Sequence, residues 1–217
     1  MGASRPKQYL DVAGKPVLAH TLAVFDALPQ CSRIIIAAGD RTLLAEVLDS
    51  YPVSTACTIV DGGPRRQDSV ANMLTACPDN DDAVILVHDA ARPCVSESQV
   101  LEVVHTIVEH GAALLALQVR DTVKRVHGRN VVATLDRGEI WLAQTPQGAR
   151  LGTLRRAFDL AAKQAFNGTD DAEILEQAGY TVKVVRGSNE NIKITFRDDI
   201  EIAASVLRTR AHHSTPT

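Results

Sequence analysis

The chain has 217 residues, 45% of them apolar, which suits one α/β-type domain with a sizeable core. Lysine and arginine number 23 against 26 acidic residues, a net charge of −3, which argues against a general nucleic-acid face or a polybasic membrane surface. No run approaches the ~18 apolar residues of a membrane span, so an anion site here has to be a local cluster of Lys, Arg and backbone N–H groups.

Pro16 opens a helical pattern with Val17, Leu18, Leu22, Phe25 and Leu28 on one face, proline losing nothing at a first helical turn. Arg33 to Gly39 is a β-branched run that reads as a strand buried on both faces. Leu43, Leu44, Val47 and Leu48 mark a second helix. Cys57 to Val60 is a second strand, closed by Asp61-Gly62-Gly63, and Val70, Met73, Leu74 and Cys77 mark a third helix. Val84 to Val87 is a third strand. Ser96 and Gln99 form a capping box before Val100, Val104, Ile107 and Val108, and Gly111 suits that helix's end. Ala112 to Val119 is a fourth strand. The alternation predicts a doubly wound, mostly parallel sheet of Rossmann-like type, with ligands at the carboxyl ends of the strands.

Residues 120 to 144 break the rhythm. Thr122 to Val126 and Val131 to Thr134 alternate around His127-Gly128-Arg129-Asn130, which predicts a protruding β-arm suited to packing on a second subunit. Helical patterns return at 150 to 166 and 170 to 178. Tyr180 to Val185 and Asn191 to Thr195 read as strands, 197 to 209 as a closing helix, and 210 to 217 as a disordered tail. One domain over 1 to 209 is expected. Cys31, Cys57, Cys77 and Cys94 show no CxxC or zinc spacing; they read as small buried residues kept reduced, in keeping with a cytoplasmic protein without a signal peptide.

Four sets of loops carry the candidate chemistry. Pro6-Lys7-Gln8-Tyr9 offers a lysine point charge for phosphate. In Asp61 to Ser69, Gly62 and Gly63 let backbone N–H groups approach a ligand, and Ser69 falls in the first helical turn, where it also suits a plain helix start. Val87-His88-Asp89-Ala90-Ala91-Arg92-Pro93 ends a buried strand in an aspartate placed to bind Mg²⁺ on nucleotide phosphates, or merely to cap a turn. Asp121, Thr122, Asp136 and Arg137 lie on the arm. Gln144-Thr145-Pro146-Gln147 follows the arm's last strand, Thr169-Asp170-Asp171 opens a helix, and Lys193 sits in the last strand. Such hydroxyls and cations together can hold a sugar-alcohol phosphate.

Taken together, Pro6-Lys7-Gln8-Tyr9, His88 to Pro93, Asp121-Thr122-Val123-Lys124, Gln144 to Gln147, Thr169-Asp170 and Asn191-Ile192-Lys193 give the chain a resemblance to the 2-C-methyl-D-erythritol 4-phosphate cytidylyltransferases over nearly all of 1 to 209. The resemblance implies Mg²⁺-dependent transfer of CMP from CTP to methylerythritol phosphate, with pyrophosphate leaving. It implies that Lys7 stabilises charge on the α-phosphate, Asp89 holds the metal and Ser69, with Gly62 and Gly63, reads the nucleotide. Asp121, Thr122, Arg137, Thr145, Thr169 and Lys193 would surround the acceptor. It implies a homodimer in which Thr122 and Arg137 serve the partner's site.

The family's first strand and glycine-rich turn ending in arginine are not found in the sequence, so a record cut upstream of Met1 is expected, with weak CTP binding and little turnover. The strands at 34 to 38 and 84 to 88 would flank the missing one. Two other readings stand beside this one: a ribitol 5-phosphate cytidylyltransferase and a non-catalytic dimeric paralogue. A dinucleotide-dependent dehydrogenase is excluded because no G-x-G-x-x-G follows a strand.

Overall fold

The computed structural model describes residues 5–213. Its first elements are short: a 3₁₀ turn at Lys7–Tyr9, then a small hairpin of β1 (Asp11–Val12) and β2 (Lys15–Pro16). Ala13 and Gly14 at its tip both have positive φ (52° and 84°), the conformation that two-residue hairpins favour. Helix α1 (Val17–Asp26) follows Pro16 directly and buries Val17, Leu18 and Leu22.

Strands β3 (Ile34–Ala38) and β4 (Cys57–Asp61) pair in parallel, Ile34 opposite Cys57 through Ala38 opposite Asp61. Helix α2 (Arg41–Ser50) makes the crossover. It starts at Asp40, whose carboxylate accepts from Leu43 N at 3.0 Å, a side-chain cap for an otherwise unpaired first-turn donor. Leu44 and Val47 then pack with Leu18 and Leu22.

Asp26, at the end of α1, ties this layer together by accepting from Thr55 N (2.7 Å), Ser54 N (2.9 Å) and Ser54 Oγ (3.0 Å). The Thr55 and then the Ser54 donors hold its carboxyl down to about 2, below the ordinary 3.8. A depressed folded-state pKa adds stability above about pH 4 that is lost as the pH falls toward about 2. Asp26→Asn should therefore lower the urea midpoint at about pH 7 and match the parent near pH 2. Equal midpoints at neutral pH would show that the clamp contributes nothing.

Helix α3 (Arg66–Thr75), strand β5 (Val84–Val87), helix α4 (Glu97–His110) and strand β6 (Ala112–Gln118) continue the alternation. The reciprocal Ser96/Gln99 cap is formed, with Gln99 N donating to Ser96 Oγ at 3.3 Å and Ser96 N to Gln99 Oε1 at 3.1 Å. Gly111, at φ 92°, ends α4.

The main sheet departs from the expected mostly parallel arrangement. Its order is β10-β6-β9-β5, where β9 is Trp141–Arg150 and β10 is Lys183–Arg186. Strand β9 is antiparallel to both neighbours, so the sheet is mixed, while β10 and β6 run parallel. The β3-β4 pair forms a sheet of its own and is not hydrogen-bonded to β5.

Gln144 to Gln147, expected after the last strand of the arm, are instead the middle of this ten-residue strand. The register passes from Leu114 opposite Gln147 to Ala116 opposite Ala143. Gln144, Thr145 and Pro146 thus face Leu115 alone. A bulge is where a proline is tolerated inside a sheet and where side chains are re-aimed.

Helices α5 (Leu151–Lys163) and α6 (Asp171–Gln177) cover the sheet, with Leu154, Phe158, Ile174 and Leu175 in one cluster with Val70 and Leu74. Residues 191 to 195 form no ladder, contrary to the strand expected there. Helix α7 (Asp198–His213) runs past the expected start of a disordered tail, and 214 to 217 lie outside the described residues. Of the cysteines, Cys77 and Cys94 are buried as expected, but Cys31 is only half-buried and Cys57, on the edge strand β4, is exposed. Among the described residues no helix is long and apolar enough to cross a membrane.

The arm is present as β7 (Lys124–His127) and β8 (Asn130–Thr134), a two-stranded sheet turned by Gly128. Val126, Val131 and Val132 on it are each more than half exposed (51%, 62% and 54%).

Candidate active site

Strand β5 is apolar as far as Val87, after which the chain turns sharply, Arg92 N donating to Asp89 O at 2.9 Å. The segment before α7 docks onto that turn. Ile194 N donates to Ala91 O at 2.8 Å, and Arg92 Nη1 donates to Asn191 O at 2.7 Å. Docking delivers Lys193 to Asp89. Between β5, the β9 bulge and the start of α6 lies an open cleft of ≈ 210 Å³, lined among others by Asp89, Arg66, Arg92, Lys193, Gln144 and Thr169. Sites that enclose a drug-sized ligand run to ~300–1,000 Å³, so a nucleotide here would extend beyond the cleft over the open surface.

The cleft is organised around one carboxylate and three cations. Lys193 Nζ stands 2.8 Å from Asp89 Oδ2, Arg66 Nε 3.3 Å from Oδ1, and Arg92 Nε 3.6 Å from Oδ2. Arg92 Nε is buried and has no hydrogen-bond partner among the described residues. Burial pushes the Asp89 carboxyl up, but Lys193, then Arg66 and Arg92, outweigh it and hold it below the usual carboxylate range. The group stays ionised at neutral pH. Arg66 is itself gripped from behind by a fork onto Asp171, at 3.0 and 2.7 Å. Asp171 is fully buried; that burial pushes its carboxyl up against the pull of the guanidinium.

The floor is polar and extensively hydrogen-bonded. Gln147, 2% exposed, accepts from Asp171 N and Ala172 N and donates to Asp170. Asp170 in turn caps α6 by accepting from Glu173 N at 2.9 Å. Thr145 accepts from Asp89 N at 3.0 Å, and its hydroxyl lies 3.1 Å from His88 Nδ1. Burial holds the His88 ring down at about 4, so it is neutral at physiological pH.

Of the residues singled out in the sequence, the fold brings Asp89, Thr145, Thr169 and Lys193 to this cleft. Thr169 spends its N–H and hydroxyl on Glu173 (2.6 and 2.8 Å). Lys7 lies close enough for its ammonium to feel the cluster: burial and then Lys193 lower its pKa, while Asp89 raises it. Ser69 is committed within its own loop, accepting from Gly63 N at 2.9 Å and donating to Arg65 O at 3.2 Å. At Gly63 a Cβ would meet Asp68 Cβ at 2.4 Å, so the loop can fold onto α3 only with glycine there; at Gly62 the nearest contact would be an ordinary 3.5 Å.

Asp121, Thr122 and Arg137 are exposed on the arm and do not line the cleft of their own chain; Arg137 Nη1 donates to Arg120 O at 2.7 Å. Arg66, Asp171 and Gln147 also stand inside the candidate loops, but nothing in the sequence singles them out. A charge fork across 105 positions has no signature in the order of residues.

A family model described as 2-C-methyl-D-erythritol 4-phosphate cytidylyltransferase (IspD) matches residues 1–209. The enzyme of that name from Halalkalibacterium halodurans is 41% identical over 209 residues, covering 95% of this chain and 91% of the relative. That from Bacillus velezensis is 39% identical over 214 residues, covering 97% and 91%. The crystal structure of the Francisella tularensis enzyme superposes with a TM-score of 0.83 at 38% identity, covering 93% of each chain. With the charged cleft assembled and the match running from one side of it to the other, the chain belongs to the 2-C-methyl-D-erythritol 4-phosphate cytidylyltransferase family.

Proposed function

We propose that this protein transfers CMP from CTP to 2-C-methyl-D-erythritol 4-phosphate, giving 4-diphosphocytidyl-2-C-methyl-D-erythritol and pyrophosphate, with the Asp89 cleft as its centre. The observation that carries the placement is the set of three cations converging on one ionised carboxylate at a strand end. A phosphate oxygen of the acceptor attacks the α-phosphorus of CTP; the new P–O bond forms as the bond to pyrophosphate breaks. Such transfers need positioning and charge stabilisation more than covalent help. Lys7, Lys193 and the guanidinium of Arg92 supply positive charge where negative charge builds. Gly62, Gly63 and Ser69 shape the loop taken to receive the nucleotide. Thr145, Thr169 and Lys193, with Asp121, Thr122 and Arg137, are assigned to the acceptor.

Mg²⁺ suits the donor set in a particular way. Among the described residues no three His, Cys, Asp or Glu side chains gather to cage an ion. A single carboxylate would suit a small hard cation such as Mg²⁺, which takes few of its ligands from protein. Asp89 would hold it once Lys193 turns to the phosphates, and the ion would neutralise charge on the transferring group.

The exposed valines of the arm, together with an Arg137 that lies outside its own chain's cleft, support a homodimer whose arms reach the neighbouring site. A cytoplasmic location accords with cysteines left as free thiols. The expectations of weak CTP binding, little turnover and a non-catalytic paralogue find no support in the family match.

The direct test is pyrophosphate release from CTP and Mg²⁺ with either methylerythritol phosphate or ribitol 5-phosphate as acceptor. Release with the first and none with the second is expected. Release with ribitol 5-phosphate alone, or with neither, would overturn the assignment.

A further inference from the structure

We infer that His88 is a positioning residue, acting on Asp89 through the hydroxyl of Thr145. The inference rests on the reading of Asp89 as the centre of the transfer site. The directions in this short run of hydrogen bonds follow from its two ends, since a carbonyl oxygen can only accept and a backbone N–H can only donate. His88 Nε2 lies 3.1 Å from Arg92 O, so Nε2 carries the proton and donates. Nδ1 is then left as a bare acceptor. The Thr145 hydroxyl, 3.1 Å away, must donate its single hydrogen to it. The same oxygen accepts the Asp89 N–H at 3.0 Å, a sense that the backbone donor itself imposes. The two backbone groups thus select one tautomer, in which Nδ1 accepts from the Thr145 hydroxyl and so holds it against the Asp89 N–H.

The ring itself is held. It packs on Phe25 with centroids 5.1 Å apart and planes at 59°, so neither nitrogen can swing away freely. Its two nitrogens bracket the turn that carries the site. Nδ1 fixes, through Thr145, the N–H that precedes the Asp89 side chain; Nε2 fixes the carbonyl of Arg92, whose guanidinium reaches Asn191 O. Thr145 lies in the β9 bulge, where its hydroxyl reaches the turn that follows β5. A neutral histidine here needs no contact with substrate to matter, because misplacement of a reacting group by about 1 Å can cost on the order of 10²-fold in rate.

Two substitutions separate the two nitrogens. In His88→Asn the side-chain oxygen stands where Nδ1 is and keeps the acceptor for Thr145. In His88→Gln the amide nitrogen stands where Nε2 is, keeping the donor to Arg92 and losing that acceptor. We expect His88→Gln to lower kcat roughly 10-fold with KM for CTP within about twofold, and His88→Asn to recover most of that loss. Thr145→Val should reproduce the kcat loss, and adding His88→Gln to it should cost little more, because both cut the same chain. Equal losses in the Asn and Gln variants, additive losses in the double variant, or a rise in KM alone would refute the inference. If His88→Gln does not fold, Thr145→Val beside His88→Asn decides: a kcat loss in the first with the second near the parent is expected, and an unimpaired Thr145→Val refutes the inference. Asp89→Asn, run alongside, keeps the two readings apart: an active Asp89→Asn sinks the placement of the site, whereas an inactive one beside an unimpaired His88→Gln sinks only the role of His88.

Discussion

Asp89→Asn should lower turnover by on the order of 10²–10³-fold while leaving CTP binding intact or tighter. The reason lies in the charge balance of the cleft. Asp89 is the carboxylate that Lys193, Arg66 and Arg92 all face. Replacing it by a neutral amide leaves three cations with less to neutralise them, which favours a triphosphate. What is lost is the anchor for Lys193 and, on the proposed reading, the oxygen that would hold Mg²⁺. The effect belongs in kcat, the pattern of an interaction made chiefly in the transition state. Turnover within twofold of the parent would remove Asp89 from the centre of the site.

The same variant tests the arm. Arg137→Ala should be inactive alone if Arg137 completes a site. In a mixed dimer of Asp89→Asn and Arg137→Ala subunits, one site has both its Asp89 and an arginine from the partner's arm. Mixing two inactive proteins should then restore activity, up to one working site per mixed dimer. A mixture no more active than its parts would mean that Arg137 serves its own chain or none.

Gly148→Ala should be the most damaging of the small substitutions, costing more than about 3 kcal/mol or preventing soluble accumulation. Gly148 lies in β9 opposite Leu86 of β5 and Ala113 of β6. A Cβ built there stands 2.0 Å from Ile85 O and 3.0 Å from Ile85 C. The obstacle is backbone, so no rotamer change relieves it, and the β5-β9 ladder would have to part. Since β5 leads directly to Asp89, a surviving variant should lose turnover as well. Gly39→Ala is the natural control, because a Cβ there meets nothing within 4 Å. Equal unfolding midpoints for the two alanine variants would contradict this account of the sheet.

Much of the architecture was legible because it rests on local signals. The Ser96/Gln99 box before α4 and Gly111 after it mark helix ends in a few residues of sequence. The runs at 34 to 38, 57 to 60 and 84 to 87 are β-branched and apolar enough to read as buried strands. The alternation around His127-Gly128-Arg129-Asn130 marked the arm. Strand β9 was not legible. Its buried half reads Gln144-Thr145-Pro146-Gln147, three polar side chains and a proline, the composition of a loop. It is a strand because its polar groups find partners in the His88 turn, in α6 and in the segment before α7. Those partners come from three separate stretches of chain.

The sequence by itself determined the helix and strand alternation, the arm, and the loops that hold Ser69, Asp89 and Thr169, because caps, periodicity and turn residues act over a few positions. Only the tertiary structure decided that the main sheet is mixed and that Asp89 is shared among Lys193, Arg66 and Arg92. It alone showed that Arg66 is braced by Asp171 and that the Thr145 hydroxyl stands between His88 and the Asp89 N–H. Those are pairings between groups tens of residues apart. Their distances and donor directions exist only once the strands have closed and water has been excluded from between them.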